Sequence, residues 1–186
     1  MANDSFSGNP KTEWLSDNGG RTMRLIETFC YIDPQGRRWE AATGCITDGA
    51  TIPRTLWSSV GSPFTGSYRC AAILHDSALQ NRDILRIDAD NMFYFACLAG
   101  GCTPLESKLL YAGVRLGSWA TLTRNFADEL LPFCHPLARL PGQQSPSELA
   151  VRAKYTLLAS ELLATGDNFD AVRATVDRHL GSPPPN

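Results

Sequence analysis

The feature of this sequence that most constrains its fold is a change of pattern near residue 46. Before it, β-favouring residues come in short runs, and the turn residues Asp-Pro-Gln-Gly at 33–36 separate two of these runs. After it, apolar residues recur at helical spacing. We therefore expect an α+β protein in which a small N-terminal antiparallel sheet packs on a mostly helical body.

Start and stop signals for helices are frequent in the second part of the chain. Two capping boxes, each a Ser or Thr followed three residues later by Glu, begin at Thr103 and Ser145. Gly100 and Gly181 are placed to end helices. Together with the apolar periodicity, these signals predict helices over about 53–57, 68–80, 86–99, 103–116, 145–165 and 169–180.

The length of 186 residues suits one domain with a small extension. Residues 1–21 are polar, contain turn signals and are expected to be flexible. The stretch 139–145 is the best candidate for a linker. The expected organisation is therefore a core α+β domain over 22–138, a C-terminal helical extension over 146–181 and a disordered tail over 182–186.

Charge and hydropathy limit the partners of the chain. The net charge of −2 implies no general attraction to nucleic acid. No stretch approaches the roughly 20 apolar residues of a membrane span. The polar N-terminus lacks a signal-peptide core, so we expect cytoplasmic synthesis without a cleaved signal, and a secretion route that needs no such signal stays open. The C-terminal helices offer a surface for a protein partner.

The six cysteines form no CxxC pair. In a chain of this length made in the cytoplasm, we expect them to be free thiols that pack as small apolar residues. Cys97 shares a predicted helix face with Asp90, so a cysteine nucleophile is an alternative.

The predicted helix 68–80 is apolar nearly all round, which indicates that it is buried. His75 and Asp76 are its polar exceptions. Burying a polar pair costs free energy unless partners satisfy it, so we expect polar groups to face these two side chains.

Helical phase separates two aspartates on the next predicted helix, 86–99. Asp90 shares a face with Phe93 and other apolar residues, whereas Asp88 points to the opposite side. The short connection between the two helices favours an antiparallel pair, which would bring Asp90 towards the helix that carries His75 and Asp76.

A strand-to-helix corner at 47–54 supplies a third group of candidates. Gly49 permits tight backbone geometry there, and the following Pro53 fixes the entry to a helix. Asp48 and Thr51 are placed to cap that helix. Asp48 is alternatively placed to reach a site shared with the other candidates, and Arg54 is placed to bind an anionic substrate.

One histidine and three carboxylates suit two kinds of chemistry. They are typical ligands for a divalent metal such as Zn²⁺, Mg²⁺ or Mn²⁺. They are equally typical of a site in which a histidine acts as general base and an aspartate orients it. We predict His75, Asp90 and Asp48 as catalytic residues, Asp76, Thr51 and Arg54 as binding residues, and His75, Asp76 and Asp90 as the ligands if a metal binds.

Three motifs follow one another in the segment that holds these candidates. They read Thr-Asp-Gly-Ala-Thr-Ile-Pro at 47–53, Ala-Ala-Ile-Leu-His-Asp at 71–76, and Ala-Asp at 89–90 followed by Phe93, with Trp57 after the first. In this ordered set the chain resembles the family of domains of unknown function numbered 1353, over about residues 22–118. The resemblance departs at Ser77-Ala78-Leu79, where the family tends to have aromatic residues.

The resemblance implies a setting rather than a reaction. The family is found in phages, prophages and bacterial genomes, and its repeated Asp, His-Asp and Asp positions fall on Asp48, His75, Asp76 and Asp90. We expect a hydrolase, metal-assisted if a divalent cation binds, of a phage or secreted-effector type that acts on a bacterial cell wall or a similar substrate. The alternatives are a non-catalytic accessory domain whose Asp/His network is structural, and a small-ligand-binding domain.

Overall fold

The protein is described by a computed structural model that covers residues 5–16, 22–49, 52–53, 56, 66–130 and 146–181, without the side chains of 120–130 and 146–147. This part of the chain forms two small antiparallel sheets followed by five α-helices. The α+β class expected from the sequence is therefore confirmed. The predicted short helix at 53–57, the linker and the C-terminal tail lie mostly or wholly outside the described residues.

Six strands build the two sheets, one with the order β1-β4-β5 and the other with the order β2-β3-β6. Every pairing is antiparallel. The strands are β1 (Ser5–Phe6), β2 (Thr12–Leu15), β3 (Thr22–Leu25), β4 (Phe29–Ile32), β5 (Arg38–Ala41) and β6 (Ile46–Thr47).

The predicted turn at 33–36 joins β4 to β5. Gly36 has a φ of 82°, which glycine adopts without strain. The buried Asp33 carboxylate accepts backbone N–H bonds from Gln35 (3.0 Å) and Arg37 (2.8 Å) through Oδ1, and the indole N–H of Trp39 (2.9 Å) through Oδ2. One aspartate therefore fixes both the turn and the first buried side chain of β5.

Strands β1 and β2 lie inside the segment 1–21, which the sequence predicted to be flexible. They pair with β4 and β3, so two three-stranded sheets replace the single small sheet expected. The ring of Phe6 packs on those of Phe29 (5.6 Å between centroids) and Tyr31 (4.9 Å). Pairing thus orders these short strands, β1 with the non-consecutive strand β4 and β2 with β3, the next strand along the chain.

The helices are α1 (Arg69–Gln80), α2 (Arg86–Ala99), α3 (Pro104–Leu130), α4 (Pro146–Ala164) and α5 (Phe169–Leu180). The predicted bounds agree closely for four of them. The third was expected to end near 116, but it continues through Gly117. A glycine inside a helix costs roughly 1 kcal/mol, and burial of the helix on neighbours offsets that cost.

Helix ends follow the signals in the sequence. The Thr103 hydroxyl accepts the N–H of Glu106 (3.2 Å), while the Glu106 carboxylate accepts the N–H (2.7 Å) and hydroxyl (2.9 Å) of Thr103. This capping box is confirmed. Asn168, which the sequence reading did not single out, caps α5 by accepting two backbone N–H bonds. The other predicted box begins at Ser145, outside the described residues.

The core lies where α1 packs between the sheets and α2. All of Ala71, Ala72, Ile73 and Leu74 are at most 1% exposed, which confirms that α1 is a buried helix. Helix α3 then packs on α2, and α4 and α5 pack on α3. None of the helices described is long and apolar enough to cross a membrane.

Candidate functional site

A direct contact between α1 and α2 forms the centre of the candidate site. The two helices are joined by residues 81–85 and pack closely. His75 Nε2 lies 2.7 Å from Asp90 Oδ1, and the two side chains are 0% and 2% exposed. The sequence predicted that Asp90 faces the helix that carries His75 and Asp76, and the structure supplies the register that brings His75 and Asp90 together. Asp88 is on the other side of α2, where it forms a partly exposed ion pair with Arg37 (3.1 Å).

The surroundings of His75 select one tautomer. A carboxylate only accepts hydrogen bonds, so the neutral imidazole carries its proton on Nε2, facing Asp90. Nδ1 is buried and has no hydrogen-bond partner among the described residues. The ring packs against Phe93, with centroids 5.1 Å apart. The pair therefore holds an imidazole whose second nitrogen keeps an uncommitted lone pair.

The other oxygen of Asp90 faces Arg115 on α3. Arg115 Nε is 3.6 Å from Asp90 Oδ2, and its Nη2 is 2.9 Å from Asp177 Oδ1 on α5. Its Nη1 donates to the Tyr111 hydroxyl (3.0 Å), which in turn donates to Asn91 Oδ1 (3.2 Å). Burial raises the pKa of Tyr111 to about 12, which keeps this hydroxyl neutral.

Asp76 faces a different part of the molecule from His75. The backbone N–H of Asp48 donates to Asp76 Oδ2 (3.3 Å), and the Thr47 hydroxyl also bonds this carboxylate. Burial is the main cause of a raised pKa of Asp76, the Thr47 bond opposes it, and the charge of Asp48 adds to it. The Asp48 residue itself is exposed, whereas Gly49 behind it is buried with a φ of 97°.

The structure thus divides the predicted residues into two pairs. His75 and Asp90 meet between α1 and α2, and Asp76 meets the Asp48 backbone at the end of β6. The reason is that neighbours on a helix point about 100° apart. The predicted binding residues Thr51 and Arg54 lie outside the described residues.

No group of three or more His, Cys, Asp and Glu side chains in the described ranges is arranged to hold a metal ion. His75, Asp76 and Asp90 therefore do not form the ligand cluster that the sequence suggested. Asp76 is turned towards β6. Both oxygens of Asp90 face nitrogen donors, and the positive charge of Arg115 opposes a cation at this carboxylate.

The cysteine alternative is disfavoured by burial. Cys97 is fully buried, and burial raises its pKa well above the ordinary value, with a hydrogen bond to Cys102 acting in the same direction. A thiol in this environment is a poor nucleophile, because the thiolate is the reactive form. The five described cysteines are free thiols, and Cys134 lies outside the described residues.

Sequence reasoning missed the residues behind Asp90. Arg115 is 3% exposed and Tyr111 is fully buried, although both carry polar groups. A signal for Arg115 exists, since Tyr111 and Ala112, which precede it by four and three residues on the same helix face, are an aromatic and an apolar residue. No local pattern marks Asp177 as its partner, because 62 positions separate the two residues (177 − 115).

The fold and this site define an α+β protein with a buried histidine–aspartate pair between two antiparallel helices. Residues 23–114 match the family model described as "Protein of unknown function (DUF1353)", and this segment of the chain belongs to that family. The resemblance seen in the sequence motifs is thereby confirmed.

Two relatives come from Sinorhizobium fredii (strain NBRC 101917 / NGR234). "Uncharacterized protein y4jT" is 32% identical over 110 residues, which are 59% of this chain and 33% of the relative. "Uncharacterized protein y4iH" is 35% identical over 97 residues, which are 52% of this chain and 41% of the relative. The chain therefore spans about a third to two fifths of the length of these curated relatives. No solved structure matches it.

Proposed function

We propose that this protein is a hydrolase in which His75 acts as general base and Asp90 orients it. The observation that carries the proposal is the 2.7 Å contact of Asp90 with Nε2, together with a buried Nδ1 that has no partner in the described part of the chain. A structural histidine in an apolar core normally has both nitrogens satisfied, because an unpaired buried polar atom costs about 1–3 kcal/mol.

The chemical step uses the free nitrogen. Nδ1 of His75 accepts a proton from a water molecule while the water oxygen attacks the carbonyl carbon of an ester or amide. The resulting imidazolium then returns this proton to the leaving group, which departs with the electrons of the broken bond. Asp90 stabilises the imidazolium through its hydrogen bond and charge. No step passes through a metal, since both Asp90 oxygens face nitrogen groups.

The proposed substrate is a bond of the bacterial cell wall, with a phage or secreted-effector role. The support for this substrate is the phage and prophage setting that the motif resemblance implies. The geometry of the His75–Asp90 pair supports the reaction type.

The test measures hydrolysis of purified peptidoglycan and of p-nitrophenyl acetate by the wild type, His75→Gln and Asp90→Asn. We expect both substitutions to lower the rate by about 10²- to 10⁴-fold, the range that general-base catalysis contributes. His179→Gln is the matched control, because His179 pairs with Glu161 at the surface of α4 and α5. Circular dichroism at the assay temperature establishes that each variant is folded.

Equal rates for the wild type and His75→Gln, or no hydrolysis of either substrate by the wild type, would contradict the proposal. A normal rate for His179→Gln beside an inactive His75→Gln assigns the base to His75 rather than to histidines in general.

The second candidate is a non-catalytic domain in which the same network holds the helices together. The observation in its favour is the chain of contacts from Asp90 through Arg115 to Asp177, which ties α2, α3 and α5. Breaking a buried ion pair by removing one partner costs about 3–5 kcal/mol. This candidate predicts that Asp90→Asn lowers the thermal midpoint strongly, and that the wild type has no hydrolysis to lose.

A further inference from the structure

We infer that Arg115 and Asp177 are positioning residues for the His75–Asp90 pair, so that helix α5 helps to set the geometry and charge of the site. The inference rests on the proposed function. It assigns a role to a helix that lies outside the family segment 23–114 and that the sequence suggested was only an extension.

The first step is the way Asp90 is held. Among the described residues, its oxygens face His75 Nε2 at 2.7 Å and Arg115 Nε at 3.6 Å. The Arg115 guanidinium also donates a hydrogen bond to the Tyr111 hydroxyl (3.0 Å) and forms an ion pair with Asp177 Oδ1 (2.9 Å). Rotation of the Asp90 carboxylate away from His75 would break its contact with a cation that cannot follow it.

The charges of Arg115 and Asp177 also set the electrostatic potential at His75. Arg115 alone beside Asp90 would cancel much of the negative potential that Asp90 exerts on His75. Asp177 lies on the far side of Arg115 and offsets the positive charge. With a neutral His75 the four groups sum to −1, and with a protonated His75 they sum to zero. The set is therefore balanced for the state that follows proton transfer, in which the buried imidazolium needs a counter-charge.

At Asp177, the charge can be changed without a change in the packing of the buried side chains. Its side chain is 30% exposed, whereas those of His75, Asp90 and Arg115 are at most 3% exposed. Exchange of its carboxylate for an amide therefore removes a charge without leaving a cavity. Asp170 on the same helix is a matched control, because its side chain is 78% exposed and pairs with Arg173 at the surface.

The experiment compares the wild type, Asp177→Asn, Asp177→Glu and Asp170→Asn by steady-state hydrolysis of p-nitrophenyl acetate and by thermal unfolding. We expect Asp177→Asn to lower kcat about tenfold with an unchanged KM, the size of loss that outer partners of functional groups show. Asp177→Glu restores most of the rate, since it returns the charge. Asp170→Asn behaves as the wild type.

A second measurement does not depend on turnover. The Nε2 proton of His75 is buried and bonded to a carboxylate, so its NMR resonance reports the charge and placement of Asp90. We expect Asp177→Asn to shift this resonance and Asp170→Asn to leave it in place.

Three outcomes would overturn the inference. In the first, Asp177→Asn has the same rate and the same Nε2 resonance as Asp170→Asn. In the second, the rate of Asp177→Asn falls only as far as its lowered thermal midpoint explains. In the third, Asp177→Glu does not recover activity. The proposed function fails separately, when the wild type and His75→Gln have equal rates, and in that case the Nε2 resonance alone decides whether α5 positions the pair.

Discussion

Asp76 is a partly buried carboxyl group whose pKa the fold raises. Burial raises its pKa, the Thr47 hydroxyl opposes the shift, and the charge of Asp48 adds to it. A carboxylate whose pKa is shifted by burial beside another carboxylate is more common at functional sites than elsewhere. Its carboxylate faces Thr47 and the Asp48 backbone, so Asp76 is a candidate functional group separate from the His75–Asp90 pair.

The raised pKa of Asp76 predicts a pH dependence of stability. Between the ordinary pKa of an aspartate and the raised value, the folded protein binds this proton more tightly than the unfolded chain does. The free energy of unfolding contributed by Asp76 therefore falls as pH rises through that window, and it is retained below it. Asp76→Asn cannot ionise and should lack this fall.

Urea unfolding of the wild type and Asp76→Asn at a series of acidic to neutral pH values measures the difference. Asp83→Asn is the control, because Asp83 is exposed in the turn between α1 and α2. The expected result is that the stability of Asp76→Asn relative to the wild type increases with pH, while that of Asp83→Asn stays level. Parallel curves for all three proteins would show that Asp76 ionises at no cost.

At the scale of elements, the alignment of α1 with α2 depends on a close backbone approach. Gly100 ends α2, and a Cβ placed on it would lie 2.4 Å from the carbonyl oxygen of Ser67, just before α1. The atom met is backbone rather than a flexible side-chain end. One glycine thus sets how closely the helices that carry His75 and Asp90 approach.

Gly100→Ala should force these two helices apart. We expect a loss of about 1–3 kcal/mol in the free energy of unfolding, the usual cost of extra atoms in a packed position. Gly166→Ala is the control, because a Cβ at Gly166 meets no atom within 4 Å. Chemical unfolding of both variants checks this, and equal stabilities would show that the chain relaxes around the added methyl group.

Some helices and strands of the fold can be predicted from the sequence, and others cannot. Helices α1, α2, α4 and α5 were predicted closely, because capping residues and periodicity are local. Helical phase and a short connection predicted that Asp90 faces the helix of His75 and Asp76, but not the register that pairs it with His75. Strand β1 was missed because its order comes from pairing with the non-consecutive strand β4. Strand β2 pairs with the neighbouring β3, but it is short and lies in a polar segment with turn signals, so it was missed as well. The contact between Arg115 and Asp177 was missed because the two residues are far apart in sequence.

For the whole molecule, the central question is whether α5 is an appendage or part of one cooperative unit. Its first residue, Phe169, packs in an aromatic cluster with Tyr94 (4.7 Å between centroids), Phe95 (4.8 Å) and Tyr111 (5.5 Å). Tyr94 and Phe95 belong to the same helix as Asp90. The contacts of α5 therefore reach the helix that holds the candidate site, both through rings and through Arg115.

This packing predicts a single unfolding transition. Phe169→Ala removes a half-buried ring from the cluster, and truncation of a core phenylalanine costs about 3–5 kcal/mol, so a smaller loss of about 2 kcal/mol is expected here. Because the helices unfold together, amide hydrogen exchange should accelerate in α1 and α2 as well as in α5. Leu163→Ala is the control, since Leu163 is 64% exposed on α4 and its loss should change little.

Hydrogen exchange with residue resolution decides between two arrangements. If α5 is an appendage, Phe169→Ala accelerates exchange in α5 alone, and the protection of α1 and α2 matches that of Leu163→Ala. If the chain is one unit, all three helices lose protection together. The second result would support α5 acting on the His75–Asp90 pair, because it would show that the packing of α5 is coupled to that of the helices that carry the pair.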